Sequence, residues 1–269
     1  MKIKPFKTSD VNSLHLNILL YGHGGAGKTT AIGRFADTFG KGLIISGEGG
    51  LSSISDKDID FIPFYSFEHP VDKKQYPDGY SFKEIMAFIK SDDFKGAGYK
   101  WLAIDSMTEL SRRAFLEAND ENPDKNNNFK PYQIYSQKID PLIGELRDLP
   151  IHTVVSALAA EEQDDNGSTH FWPMLHQKSK QKKYIGDFDL VCALVTKTET
   201  QKGQDGKNKM ALRRYMICDQ VHGWHGKNRD PHGRIRPVED GNDVPELVKR
   251  MLMTKEQFEK TKRVGVAAE

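Results

Sequence analysis

Cysteine is nearly absent: Cys192 and Cys218 are the whole complement of this 269-residue chain. Two thiols cannot build a disulfide framework. Both fall in apolar, strand-like stretches, so they read as reduced core thiols of a cytosolic protein. Cys218, His222, His225 and His232 match no zinc spacing, and alternate strand residues point to opposite faces, which argues against a metal site there. No apolar run approaches the roughly eighteen residues of a membrane span. Met1 to Asp10 holds no apolar core of a signal segment, so no membrane partner is expected. Charge of one sign is lacking too, because 39 Lys and Arg against 38 Asp and Glu leave a net charge of +1. A global basic field for nucleic acid is thereby excluded, and any basic surface must be local. No internal repeat or long linker forces a domain boundary, and the length suits one large α/β domain or two small ones.

What is present is an alternation of apolar runs and amphipathic stretches. Leu14 to Tyr21 reads as a buried strand ending at glycine, followed by a helix from Gly27 to Phe39. Leu43 to Ser46 and Phe61 to Tyr65 read as strands. Ser81 to Lys90 reads as a helix opened by a Ser81–Glu84 capping box. Trp101 to Asp105 is a further strand, and Ser106 with Glu109 is a second capping box. Asn119 to Lys130 reads as a mobile polar loop. Tyr132 to Leu149 is helical, with Pro141 as a kink or break. Ile151 to Ala157 is a strand, Asn166-Gly167 marks a tight turn, and Phe188 to Thr196 with Ala211 to Asp219 reads as a hairpin. Val244 to Leu252 is a short helix, and the last dozen residues read as a frayed polar end. The expected fold is α/β: a mainly parallel sheet flanked by helices, with antiparallel hairpin strands at one edge. Residues 1–240 form the expected core and residues 241–269 a helical tail.

Between the first strand and its helix lies Gly22-His23-Gly24-Gly25-Ala26-Gly27-Lys28-Thr29, followed by Thr30. Glycines let backbone amides turn inward around phosphates, and the helix N-terminus attracts the anion. Lys28 is placed to reach the β- and γ-phosphates, and Thr29 to offer a hydroxyl to magnesium. This pattern between strand and helix identifies a P-loop that cradles a nucleoside triphosphate. Asp105 ends a buried strand, where α/β ligands gather, and is placed to hold magnesium; alone, it could merely precede a helix cap. Glu48, in Ser46-Gly47-Glu48-Gly49-Gly50, also falls at a carboxyl strand end. It can orient and deprotonate an attacking water, or stand as a solvated loop glutamate.

Together Ile18 to Thr30, Gly42 to Leu51, Trp101 to Leu110 and Ile151 to Ala157 resemble the RecA-like recombinase ATPases, over roughly Leu14 to Asp230. The chain looks most like the phage single-strand-annealing ATPases of the Sak type, which consist of the RecA core alone. Leu43 to Leu51 is similar to the stretch bearing the family's catalytic glutamate, and Ile104 to Leu110 to its magnesium-aspartate strand. The resemblance implies ATP and magnesium as ligands, ATP-dependent binding of single-stranded DNA, and annealing or strand exchange. It also implies a homo-oligomeric ring or filament with ATP at the protomer seam, in the cytoplasm (that of the host cell, if phage-encoded). Lys227 and Arg229 follow the last strand, where the family places cations that reach a neighbour's phosphates; a solvated basic turn is the other possibility. The family's glutamine after the fourth strand has no counterpart in Ser156-Ala157-Leu158-Ala159-Ala160-Glu161.

For single-stranded DNA the candidate segment is Ser168 to Tyr184. Lys178, Lys180, Lys182 and Lys183 would track phosphates, and Phe171 and Trp172 would stack bases. A solvated basic helix beside an aromatic cluster is the alternative. Asn119 to Tyr132 is a second candidate contact. Two other functions stay open on sequence grounds: a P-loop ATPase of another DNA-related role, such as a helicase or loader, and a nucleotide-gated binding module with negligible hydrolysis.

Overall fold

The computed structural model describes residues 15–69, 71–202 and 208–266. β1 (Asn17–Gly22) leads through the glycine-rich turn into α1 (Lys28–Phe39). β2 (Gly42–Ser46) follows and ends in a 3-10 turn, Gly49–Ile54. After β3 (Asp60–Pro63) and a ribbon of β4 (Phe67–Glu68) and β5 (Gln75–Tyr76) come α2 (Phe82–Lys90) and α3 (Asp92–Gly96). β6 (Trp101–Asp105), α4 (Met107–Asp120), α5 (Lys130–Asp148) and β7 (His152–Gln163) continue the alternation. Next are β8 (Thr169–Pro173), α6 (Lys178–Ile185), β9 (Leu190–Lys202) and β10 (Asn208–Ile217). Short strands β11 (Gln220–Val221), β12 (Trp224–His225), β13 (Lys227–Asn228) and β14 (Val238–Asp240) precede α7 (Val244–Leu252) and α8 (Lys255–Val266).

The main sheet runs β3-β2-β6-β7-β1-β9-β10-β14. Neighbours from β3 across to β9 are parallel, and β9, β10 and β14 are antiparallel, which is the expected architecture. Alternation along each strand splits the core in two. Ile18, Leu20, Ile44 and Ala103 pack with Ile32 and Phe35 of α1 and with Val244, Leu247 and Val248 of α7. Leu19, Tyr21, Ile45 and Ile104 pack with Ile85 of α2, Leu110 of α4 and Ile139 and Leu142 of α5. The register sets Ser46 beside Asp105 and Leu20 beside Ser156, so the carboxyl ends of the parallel strands meet along one edge, where Gly22 opens the P-loop.

Two packing details fix the far edge. Trp101 lies across Gly42, where an added Cβ would stand 1.9 Å from the indole. Its Nε1 donates to the Gly40 carbonyl at 2.9 Å. His152 is buried, accepts from the Leu16 amide at Nδ1 (3.1 Å) and lies against the Phe39 ring.

Several expectations need correction. α5 runs unbroken through Pro141, which lies on the solvent face while Leu142 and Ile143 beside it are buried, so the missing amide faces water and the helix is held by its other side. Ser106 caps α4 by accepting from the Glu109 amide, but the Glu109 carboxylate turns to Arg112 and Arg113, so the expected reciprocal box is half made. β7 continues to Gln163 and returns as β8, with the turn at Gly167. The stretch 121–129 is tied by side chain-to-backbone bonds from Asn122, Asp124 and Asn127. The polar end forms α8, opened by a Thr254–Gln257 capping box that binds in both directions. α7 belongs to the α1 side of the core, so the expected 241–269 tail starts as packed structure.

Leu247 is 1% exposed. Leu247→Ala should therefore lower unfolding free energy by about 2–5 kcal/mol in urea titrations. An unshifted midpoint would mean that α7 is a detached tail. His152 supplies an acid-sensitive point, because burial, with a smaller contribution from His15, pushes its imidazole down from 6.5 to about 4. The unfolded chain takes up this proton near pH 6.5 and the fold refuses it until about 4. Its contribution to stability is thus complete above pH 6.5 and is lost as pH falls toward 4, on the order of 3 kcal/mol. His152→Gln cannot titrate, and should lose less stability than the parent chain between about pH 7.5 and about pH 5 in the same urea assay.

Candidate nucleotide site

The turn from Gly22 to Thr29 depends on its glycines at two points. A Cβ at Gly22 would lie 2.4 Å from the Leu194 carbonyl of β9, and Gly27 takes φ +92 just before α1. α1 then starts with the Ala31 amide on the Gly27 carbonyl at 2.9 Å. Lys28 is buried, and its Nζ donates to the carbonyls of Gly22 and His23, both at 3.0 Å. Gly24, Gly25 and Ala26 complete the turn, and Thr30 lies exposed on the first helical turn. The His23 side chain instead meets the Phe171 and Trp224 rings edge-on, at 5.7 and 5.5 Å.

The predicted carboxylates converge on this turn. Thr29 Oγ1 donates to Asp105 Oδ2 at 2.7 Å, and Ser156 Oγ donates to Asp105 Oδ1. The next residue, Ser106, donates its hydroxyl to Glu48 Oε1. The Glu48 loop is tied down by the Gly47 amide on the Asp105 carbonyl (2.8 Å) and by Ser46 Oγ on the Glu48 carbonyl (3.0 Å). Gly50 brings this loop against the helix, since a Cβ there would stand 3.1 Å from Thr29 Oγ1. Burial lowers the Lys28 pKa, and the charges of Glu48 and Asp105 oppose that shift. A hydroxyl beside a carboxylate is a hard oxygen set that fits magnesium. A cleft of about 430 Å³ opens alongside, lined by Thr30, Arg34, Ser53 and Asp243, a size in the range of small-ligand clefts.

Sequence reading missed the hydroxyls that hold the carboxylates. A lone Ser156 in the apolar run Val154-Val155-Ser156-Ala157 was the available signal, because a buried hydroxyl needs a partner. It also missed Asn242 and Arg214, which face Gly27 from the other side.

The other predicted residues lie apart from this cluster. Lys227 pairs with Val191 on β13, toward the end of β9 that starts beside Ile18 and away from Gly22. Its Nζ donates to the carbonyls of Ile185, Gly186 and Phe188 at 3.2, 2.7 and 2.9 Å. Arg229 bonds Asp189 (2.9 Å) and the Gly186 carbonyl (2.8 Å). Both cations therefore cap the end of α6 rather than standing free.

The candidate DNA segment forms β8 and α6. Lys180 is a correction: it is buried and bonds Asp140 at 2.7 Å, a carboxylate that Tyr184 also donates to, so it offers nothing to a phosphate. Lys182 pairs with Glu162 at 2.9 Å and sits 5.0 Å over the Trp172 ring. Lys183 is exposed, 4.0 Å from Asp140, and Lys178 is exposed with no ion pair among the described residues. Phe171 stacks on Trp224 (4.2 Å) and Trp172 on His225 (3.5 Å), so each presents one face to its own chain.

A family model described as an AAA domain matches residues 15–230. A solved structure of a prototypical ATPase from the type III secretion system of pathogenic bacteria is similar at 15% identity and a TM-score of 0.44. The match covers 67% of this chain and 51% of that one, so the chain spans about half that ATPase's length. No curated protein matches. Among the described residues no helix is long and apolar enough to cross a membrane.

Thr29→Ala should leave the fold intact and weaken nucleoside triphosphate binding about tenfold with magnesium, while binding in a chelator stays unchanged. Calorimetric titration under both conditions checks this; equal affinities with magnesium would remove Thr29 from the metal site.

Proposed function

This chain belongs to the AAA-domain family, and on that footing we propose that it hydrolyses ATP with magnesium and works on single-stranded DNA. The observation that carries the hydrolytic part is the junction of Asp105 and Ser106: one holds Thr29 of the P-loop and the other holds Glu48. Adjacent residues thus fix the distance between a magnesium-binding carboxylate and a water-activating one.

The proposed division of labour follows from the chemistry of each group. The turn amides and Lys28 bind and orient the β- and γ-phosphates. Thr29 and Asp105 hold magnesium, which supplies charge neutralisation on the phosphate oxygens. Glu48 orients the attacking water and takes its proton, and the Ser106 hydroxyl keeps the carboxylate aimed. The cleft beside Thr30 and Arg34 takes the nucleoside.

The DNA part is supported by the resemblance to RecA-like recombinases and by the exposed Lys178, Lys182 and Lys183 of α6, with Lys182 over the Trp172 ring. Annealing or strand exchange is the corresponding activity, carried out by a ring or filament with ATP at the protomer seam. For Lys227 or Arg229 to reach a neighbour's phosphates, their bonds at the α6 end would first have to open.

Glu48→Gln should reduce ATP turnover by about a hundredfold or more while leaving ATP affinity within about twofold. Normal turnover in that variant removes Glu48 as the base. Single-stranded DNA should raise turnover, and alanines at Lys178, Lys182 and Lys183 should weaken DNA binding and flatten its salt dependence. Turnover indifferent to DNA rejects the DNA part and leaves the ATPase part standing.

A further inference from the structure

Two side chains outside every predicted site stand over the P-loop. A Cβ on Gly27 would meet Asn242 Nδ2 at 3.1 Å and Arg214 Nε at 3.4 Å. Asn242 is only 8% exposed, and its side-chain amide makes no hydrogen bond among the described residues. The residue is largely covered but its amide atoms still touch solvent, so the donors are open to a ligand oxygen. Arg214 is exposed and makes no ion pair among the described residues. Its neighbours differ: Arg34 pairs with Asp243 at 3.5 Å, and Arg213 with Glu199 at 3.4 Å.

The scaffold holds both in place. The Gly241 amide donates to the Arg214 carbonyl at 2.8 Å, which ties the turn bearing Asn242 to β10. Sheet order sets this pair across the P-loop from the carboxylates: β9 and β10 lie on one side of β1, and β7, β6 and β2 on the other. Charge makes the same distinction. Two carboxylates, Glu48 and Asp105, gather on that side at Ser106 and Thr29. Arg214 brings a cation to the opposite side.

We propose that Arg214 and Asn242 form a second wall of the nucleotide site, the guanidinium and the amide donating to the phosphate chain of a bound nucleoside triphosphate opposite Glu48 and Asp105. This rests on the ATP-binding reading above. Phosphate rather than base is the target because Gly27 belongs to the turn whose amides hold phosphate, and both donors stand directly over it.

The test is calorimetric titration of the full chain with ATP and with inorganic tripolyphosphate, alongside Lys28→Ala. Arg214→Ala should weaken both ligands about tenfold, and Arg214→Lys should recover part of the loss because it keeps charge without the fork. Asn242→Asp should weaken both more than Asn242→Ala, since a carboxylate would then face the phosphates, and unchanged melting temperatures would confirm that the variants fold. Loss of ATP affinity with tripolyphosphate unaffected overturns the phosphate contact in favour of a nucleoside contact. Parent-like binding in Arg214→Ala and Asn242→Ala, with binding lost in Lys28→Ala, overturns the second wall alone. A parent chain that binds no ATP overturns the reading beneath it.

Discussion

The Asp105 carboxylate sits 2% exposed at the carboxyl edge of the sheet and is held by two hydroxyls, one from Thr29 and one from Ser156. A buried carboxylate is tolerated only with such donors around it. Its partners come from α1 and β7, and its own strand lies between β2 and β7, so one side chain ties the P-loop helix to the middle of the sheet. Glu48 depends on the same junction through Ser106, and Gly47 through the Asp105 carbonyl. The aim of the whole cluster follows from where that one strand ends.

The β8–β12 ribbon is fastened to the same strand system by one phenol. Tyr21 donates to the Phe171 carbonyl at 3.1 Å and accepts the His225 amide at 2.7 Å. The last residue before the P-loop glycine thereby contacts both strands of the ribbon. Burial drives the Tyr21 pKa far up, so the hydroxyl stays neutral and keeps both bonds across the working pH range. His23 on the adjacent turn rests on the same two rings, Phe171 and Trp224.

How far the site could be read in advance divides along local and nonlocal lines. The P-loop, the strand ending at Asp105 and the Ser81–Glu84 box are written in consecutive residues, and they appear in place. The Thr254–Gln257 box is equally local, and a polar composition concealed it. Partners chosen across the chain had no such signature. Nothing near Lys180 foretells Asp140 forty positions earlier, and Lys227 and Arg229 read as free cations until the end of α6 arrives to use them. Asn242 belongs with these, because its turn carries no pattern of its own and gains meaning only when β10 brings it over Gly27.

Gly42 and Trp101 share one volume at the edge of the sheet remote from the P-loop, the indole filling the space where any other side chain at position 42 would stand. The two positions are therefore not free to vary singly. A relative carrying alanine or larger at the position of Gly42 must carry a smaller residue at that of Trp101, and the bond to the Gly40 carbonyl then disappears with the indole. Related sequences should therefore change the two positions together, and that covariation would trace the β2–β6 pairing.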